Sequence, residues 1–312
     1  MSKCSYPASV RSAAAILRTF HHAQFDARAL ADSKAGRTVS VCLPARNEEA
    51  TVASIVEGIR RDLIDGVGLV DEILVVDDHS SDATARVAAA AGARVVSAAE
   101  VLPEHGNGHG KGAALWRSLY ESDGDIVVWC DADLLDFESH FVLGLLGPLL
   151  THADVDFVKG FYDRPSADQN DRGGRVTELV ARPLLALLFP HLTSIVQPLG
   201  GEYAGRRELL EQLPFVEGYG VDIALLIDIA ARFGTDVIAQ VDLGTRRHRN
   251  RPLDELSPQA TAIMQTALRR AGRAVPTRST LIRPGLEPLE VIESELPPLA
   301  AIPTYSQVAR GA

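Results

Sequence analysis

Between Thr38 and Asp133 the chain repeats one unit: a short apolar run, a polar stop, then a stretch of helical spacing. The runs are Val39 to Leu43, Glu72 to Val76, Ala93 to Ser97 and the stretch Gly124 to Asp133. The helical stretches between them are Thr51 to Asp62, Ala83 to Ala91 and Gly112 to Ser122. Runs of this length that are apolar on both sides must be covered on both faces, and helices between them supply the cover and the crossovers. The spacing therefore predicts an α/β fold with a Rossmann-like, mostly parallel central sheet and flanking helices. Further on, Val155 to Phe161 and Asp236 to Val241 read as strands. Val176 to Phe189 (broken near Pro183), Leu209 to Leu213, Val221 to Phe233 and residues 254–272 read as helices. Residues 1–37 read as a helical N-terminal arm, and the Pro-containing tail after Val275 as extended or partly disordered.

The polar stops come at the carboxyl ends of the strands, where open parallel sheets bind their ligands. Glu48 follows the first run, Asp78 the second, and Asp131 with Asp133 the fourth. Two Asp side chains at i and i+2 can reach one point, which suits a hard divalent cation completing its shell with water and phosphate oxygens. The other reading is an Asp-rich turn that caps the next helix, and at least one of Asp78, Ser80, Ser81 and Asp82 is expected to cap. Capping does not explain why the clusters recur at successive strand ends. Carboxylates there would accept from a base N–H and from ribose hydroxyls.

Three further segments carry candidate chemistry. The loop Gly106 to Gly112 lacks the Walker and dinucleotide registers. It is either a loop that brings Lys111 to a diphosphate or a flexible connection. Arg172-Gly173-Gly174-Arg175-Val176-Thr177 stands at a helix start, where amides and an Arg can hold a phosphate or carboxylate; a Gly-rich hinge is the other reading. The cluster Arg246 to Arg251 contains His248, a candidate third ligand to a cation held by the D-x-D pair.

The 312 residues allow one large domain or two modest ones, and 46% hydrophobic with 23% charged is ordinary for an α/β enzyme. A formal charge of -10 argues against nonspecific nucleic-acid binding. Such a chain needs a local Arg/Lys cluster or a metal to handle an anionic substrate. Cys4, Cys42 and Cys130 suit reduced thiols better than a disulfide framework. Neither a secretory signal nor a membrane-spanning run is evident, so the expected location is the cytoplasm.

The series Pro44-Ala45-x-Asn47-Glu48-Glu49, Val76-Asp77-Asp78-x-Ser80-x-Asp82-x-Thr84, Gly110-Lys111-Gly112 and Asp131-Ala132-Asp133 resembles the nucleotide-sugar half of GT-A glycosyltransferases. The later segments Gly173 to Pro183, Gln197 to Tyr203, Gly218 to Asp222 and His248 to Leu253 are similar to the glucosyl-3-phosphoglycerate synthases. That is a retaining family, shared with the mannosyl-3-phosphoglycerate synthases. Its actinobacterial members start methylglucose lipopolysaccharide synthesis. The resemblance runs from about Gly36 to about Leu256. It implies a GT-A fold over 38–273, with a nucleotide-sugar half (38–135) and an acceptor half (136–273), between the arm and the tail (274–312).

By the same resemblance, Pro44, Ala45, Arg46, Glu48, Asp78 and Lys111 would line the uridine diphosphate site. Asp131, Ala132 and Tyr219 would face the ribose and sugar, and Asp133 with His248 would ligate Mg2+ or Mn2+. Gly174, Arg175, Thr177 and Asn250 would hold 3-phosphoglycerate, with Leu199 and Gly201 shaping the space around the sugar. Arg175, Leu199 and Asp222 are the candidate catalytic residues. A homodimer is expected on the same ground. The chain departs from the family where Arg46 replaces a frequent Leu, Asp78 a frequent Ser and Asp222 a frequent Glu; Asp78 leaves the donor's base open. The implied reaction carries glucose from UDP-glucose to the 2-hydroxyl of 3-phosphoglycerate with retention. Alternatives are GDP-mannose or GDP-glucose as donor, a lipid-phosphate acceptor, and a sugar-nucleotide-binding protein without turnover.

Overall fold

The computed structural model describes residues 17–163, 174–246, 253–303 and 305. In chain order its elements begin with β1 (Arg18–His21), α1 (Ala27–Ser33), β2 (Val39–Ala45), α2 (Val52–Ile59), β3 (Glu72–Asp77), α3 (Thr84–Ala91) and β4 (Arg94–Ser97). They continue with α4 (Lys111–Glu121), β5 (Ile126–Trp129), α5 (His140–Thr151), β6 (Phe157–Asp163), α6 (Arg182–Leu188), β7 (Tyr203–Arg206) and α7 (Arg207–Leu210). The last are β8 (Phe215–Val216), α8 (Val221–Phe233), β9 (Ile238–Thr245), α9 (Leu253–Arg270), β10 (Arg278–Leu281), β11 (Leu289–Ile292) and β12 (Glu295–Leu296).

Among the described residues, eight strands form one sheet in the order β1-β9-β6-β7-β5-β2-β3-β4. All neighbours run parallel except β7, which is antiparallel to both β5 and β6. Side chains alternate between two cores, as a period of two requires. Val39, Val41 and Leu43 of β2 join Ile126 and Val128 of β5 under α2 and α5. Cys42, Val127 and Trp129 face the other way, toward α4 and α8. The register sets Ala45 opposite Asp77 and Cys42 opposite Trp129. The polar stops of β2, β3 and β5 therefore lie along one edge. Because β6 and β9 run in the same direction as β5, their carboxyl ends open on that edge too. No helix of the described residues is long and apolar enough to cross a membrane.

Three expectations change. Of the N-terminal arm expected to be helical, residues 1–16 lie outside the described residues, Arg18–His21 is an edge strand paired with β9, and Ala27–Ser33 is helical. Sheet pairing there wins over local helix propensity, with Arg18 reaching the carbonyls of Asp154 and Asp236 (3.1 and 2.6 Å). The tail after Val275 is structured: β10 and β11 form a hairpin, and β12 pairs with β8. The predicted break near Pro183 is a change of winding, a π-turn at Thr177–Ala181 followed by α6 with Pro183 in its first turn.

Candidate active site

Two turns at the sheet edge are built against each other. Asn47 and His79 both adopt left-handed backbone (φ 56 and 57°), uncommon outside glycine. Cross-links hold them there: the Asn47 amide donates to Ser80 Oγ (2.9 Å), and Asn47 Oδ1 accepts from the Ser81 amide (2.8 Å). The Glu48 amide donates to Thr84 Oγ1 (2.8 Å), and Glu49 accepts from the Ala83 amide (2.9 Å). Asp82 accepts from the Thr84 amide (3.0 Å), a turn just ahead of α3. The N-cap position of α3, Ala83, carries no side-chain cap, so the expected capping is made from one residue further out. The D-x-D turn is tied to the same frame, since Thr51 Oγ1 donates to the Ala132 carbonyl (2.7 Å).

The edge floors an open cleft of about 680 Å³, a usual size for a small-molecule site. The cleft is lined by Pro44, Ala45, Arg46, Glu48 and Asp78 and by Lys111, Asp131, Ala132 and Asp133. Gly174, Arg175, Thr177, Leu199, Gly201, Tyr219 and Asp222 line it as well. Helical backbone begins at Arg175, and the Glu178 amide is bonded back to Gly174 O (2.9 Å). His248 and Asn250 lie outside the described residues.

The centre is a net of alternating charge. Lys111 Nζ stands 3.2 Å from Asp131 Oδ1 and 3.3 Å from Asp222 Oδ2. The buried Arg246 guanidinium donates to Glu202 Oε1 (2.5 Å), the Tyr162 hydroxyl (2.6 Å) and Asp133 Oδ1 (2.9 Å), and lies 3.5 Å from Asp131 Oδ2. Burial alone would raise Asp131, but Lys111 and Arg246 hold its carboxyl well below the usual carboxylate range. Lys111 is likewise penalised by burial and held charged by Asp131 and Asp222. Glu202, fully buried, is pushed upward by burial against the pull of Arg246. Beneath, Lys159 is 1% exposed, donates to the Gly200 carbonyl (2.6 Å) and sits 4.1 Å over the Tyr203 ring; burial lowers its pKa to about 8.

This geometry bears on a cation. One guanidinium nitrogen reaches both Asp131 and Asp133, so the two carboxylates do converge on a point, as the i, i+2 spacing requires. Their hard oxygens suit Mg2+ or Mn2+. Separately, ligand atoms of Asp78, His79 and His109 lie within 4.8 Å of one another, the one such grouping among the described residues. Among the described residues Asp222 Oδ1 is buried without a partner in hydrogen-bond geometry, with the Tyr203 hydroxyl as its electrostatic neighbour, and its residue lines the cleft.

Sequence reasoning passed over four of these groups. Lys159 had a signal, a charge inside an apolar strand, and Glu202 stood in a motif with no role assigned. His109 sat inside the Gly-rich loop. Arg246 was hidden in a basic run that reads as a solvated surface. Two glycines make the net possible. A Cβ at Gly201 would overlap the Asp131 carboxylate, and one at Gly112 would overlap the Val216 carbonyl beside Lys111. Cys42 and Cys130 are buried free thiols, pushed up by burial, Cys42 to about 12.

Comparison with known proteins gives the following. The family model of glycosyl transferase family 2 matches residues 40–216. A glucosyl-3-phosphoglycerate synthase of Petrotoga mobilis is 44% identical over 310 residues, 93% of this chain and 95% of that protein. One from Mycolicibacterium smegmatis is 56% identical over 244 residues, 77% of this chain and 80% of that protein. Among solved structures, glucosyl-3-phosphoglycerate synthase from Mycobacterium tuberculosis in complex with Mn2+, UDP-glucose and phosphoglyceric acid superimposes with a TM-score of 0.84. It is 49% identical, and the match covers 92% of this chain and 99% of that one.

Proposed function

This chain belongs to glycosyl transferase family 2, and on that premise we propose that it carries glucose from UDP-glucose to the 2-hydroxyl of 3-phosphoglycerate with anomeric retention. The observation that carries the reading is one cleft that gathers the β2–β3–β5 edge, the Lys111–Asp131 ion pair and the helix start at Gly174, Arg175 and Thr177. The relatives named above as glucosyl-3-phosphoglycerate synthases, one of them solved with Mn2+ and both reactants, support the same activity.

In this reading, Pro44, Ala45, Arg46, Glu48 and Asp78 hold the uridine. Lys111 neutralises the diphosphate, and Asp131, Ala132 and Tyr219 face the ribose and sugar. Asp133 and His248 would hold a divalent cation, which when bound supplies positive charge to the departing diphosphate. Gly174, Arg175, Thr177 and Asn250 fix the acceptor, turning a bimolecular encounter into an oriented one. Leu199 and Gly201 shape the sugar pocket.

Retention through a covalent intermediate would need a free carboxylate nucleophile. Asp222 is the candidate, but its Oδ2 is paired with Lys111. Its other oxygen is placed to accept a sugar hydroxyl, which leaves attack on the same face as the leaving phosphate. We assign donor binding to 38–135 and acceptor binding to 136–273, and place the enzyme in the cytoplasm as a homodimer. The buried free thiols are consistent with a reducing compartment.

The deciding assay offers UDP-glucose, GDP-glucose and GDP-mannose with 3-phosphoglycerate, with and without Mn2+. Transfer is expected from UDP-glucose with cation; transfer from a GDP donor alone, or from none, overturns the reading. Asp133→Ala and His248→Ala are each expected to lower turnover at least about a hundredfold and to raise the Mn2+ concentration needed. A variant that keeps the parent's rate and metal dependence removes that residue from the ligand set.

A further inference from the structure

Asp78 and Arg46, both lining the cleft, are joined in the structure through a third residue, His109. Asp78 has 8% of its side chain exposed. Its Oδ1 lies 3.0 Å from His79 Nδ1 and 3.1 Å from His109 Nδ1, and its Oδ2 accepts from the Gly110 amide (3.0 Å). On the far side of the His109 ring, Arg46 NH1 lies 3.0 Å from Nε2. A guanidinium only donates and a carboxylate only accepts. The lone pair of His109 is therefore on Nε2 and its proton on Nδ1, so one hydrogen-bonded chain runs from Arg46 through His109 to Asp78. A cation on His109 Nδ1 would leave an N–H at Nε2 facing the Arg46 donor. The group is built as a relay, not as a metal shell.

The relay determines how much of the Asp78 carboxylate remains for a ligand. Two carboxylate oxygens offer about four acceptor sites. The two imidazoles take both sites of Oδ1 and the Gly110 amide takes one of Oδ2, leaving one. An uncommitted carboxylate would suit guanine, whose N1–H and exocyclic amine present two donors side by side. Uracil presents one, at N3. We propose that Asp78, held by His79, His109 and Arg46, selects the donor's base by admitting an edge with a single N–H and refusing guanine's paired donors. Guanine would bring one donor to an oxygen with no site left, and a donor buried without an acceptor is costly. The proposal rests on the reading that this end of the cleft holds the donor base. It makes His79, His109 and Arg46 positioning residues acting through Asp78.

The test is calorimetric binding of UDP and of GDP, each with Mn2+, to the full-length protein and its variants. The parent chain is expected to bind UDP at least tenfold more tightly than GDP. His79→Ala/His109→Ala, which frees Oδ1, is expected to shrink that ratio at least tenfold by gaining GDP affinity. Arg46→Leu, a milder surface change, is expected to shift the imidazole 15N resonances of His109 away from the Nδ1–H tautomer and to shrink the ratio in the same direction. Equal binding of UDP and GDP by the parent, or a ratio unchanged in the double variant, overturns base selection while leaving the donor site in place. Binding of neither nucleotide removes the donor-site premise itself. Zn2+ binding that disappears in the double variant overturns the relay in favour of a metal site.

Discussion

At the scale of single residues, the cleft is organised by charges that could not be buried separately. Arg246 is 5% exposed and Glu202 fully buried, and each is the other's short-range partner. Removing one member of such a pair leaves the other as an uncompensated buried charge, at a cost of about 3–5 kcal/mol. Arg246→Met is therefore expected to lower unfolding free energy by about that much, and Glu202→Gln by less because its amide keeps one acceptor. The double variant should be more stable than the sum of the two losses predicts, by at least about 1 kcal/mol, in a denaturant cycle. Strict additivity would mean that the pair is not coupled. Asp131 and Asp133 were readable from the sequence because they end an apolar run, whereas Glu202 and Asp222 end none. Arg246 was not readable, since its burial depends on Glu202 and Tyr162, 44 and 84 residues away.

At the scale of elements, the repeating strand–stop–helix unit was legible almost to its boundaries, because nothing in the tertiary structure opposes the local pattern from β2 to β5. Among the elements that were not legible are α5 and β7. α5 carries Gly144, Gly147 and Pro148, all helix-weakening residues. Its glycines are explained by what lies against them: a Cβ at Gly147 would overlap the Phe25 ring, and one at Gly144 would come within 3.0 Å of His22. β7 follows Gly200-Gly201-Glu202, contains Gly205 and stands antiparallel between β5 and β6, a pairing that its four residues do not announce. Close approach also decides the start of α4. Gly112→Ala would drive a methyl into the Val216 carbonyl, so a loss of at least about 1–3 kcal/mol is expected, with a raised KM for the donor as Lys111 is displaced. Unchanged stability would show that β8 can move aside. The contact of β1 with α5 should respond to acid. His22 stacks between His21 (4.5 Å) and His140 (4.2 Å), and burial, then His140 and His21, hold its pKa below the imidazole norm. The unfolded chain then binds a proton that the folded chain resists, so this site costs stability as pH falls through about 6.5. His22→Gln should flatten the stability curve between about pH 7 and 5; an unchanged slope would place the acid sensitivity elsewhere.

At the scale of the whole molecule, the least legible part was how the chain ends reach back to the sheet. Prolines and weak periodicity made the tail read as extended or partly disordered, but its described residues include strands, and several of its apolar side chains are buried. Leu296, Leu299, Ile302 and Tyr305 are all buried in the core that faces α4 and α8. Polar bonds fix the same path: Trp116 Nε1 donates to the Pro297 carbonyl (2.8 Å), Arg270 pairs with Glu295 (2.7 Å), and Arg207 reaches the Tyr305 hydroxyl (3.2 Å). β12 lies on β8, and Val216 of β8 is the residue Gly112 makes room for, so the tail backs the wall from which Lys111 projects. Burying a large apolar side chain contributes about 1.5–3 kcal/mol. Four of them amount to a sizeable part of a stability of about 5–15 kcal/mol. A chain ending at Glu293 is therefore expected to lose its cooperative unfolding transition and to bind a hydrophobic dye, with donor turnover lost alongside. Leu299→Ala, which removes one contact, should keep the fold and cost about 2–5 kcal/mol. Ile292→Ser, at a position 53% exposed on the neighbouring hairpin, should stay within about 0.5 kcal/mol of the parent. The three together separate a tail that completes the core from one that merely lies on it: if the shortened chain melts at the parent's midpoint and still turns over donor, the tail is an accessory.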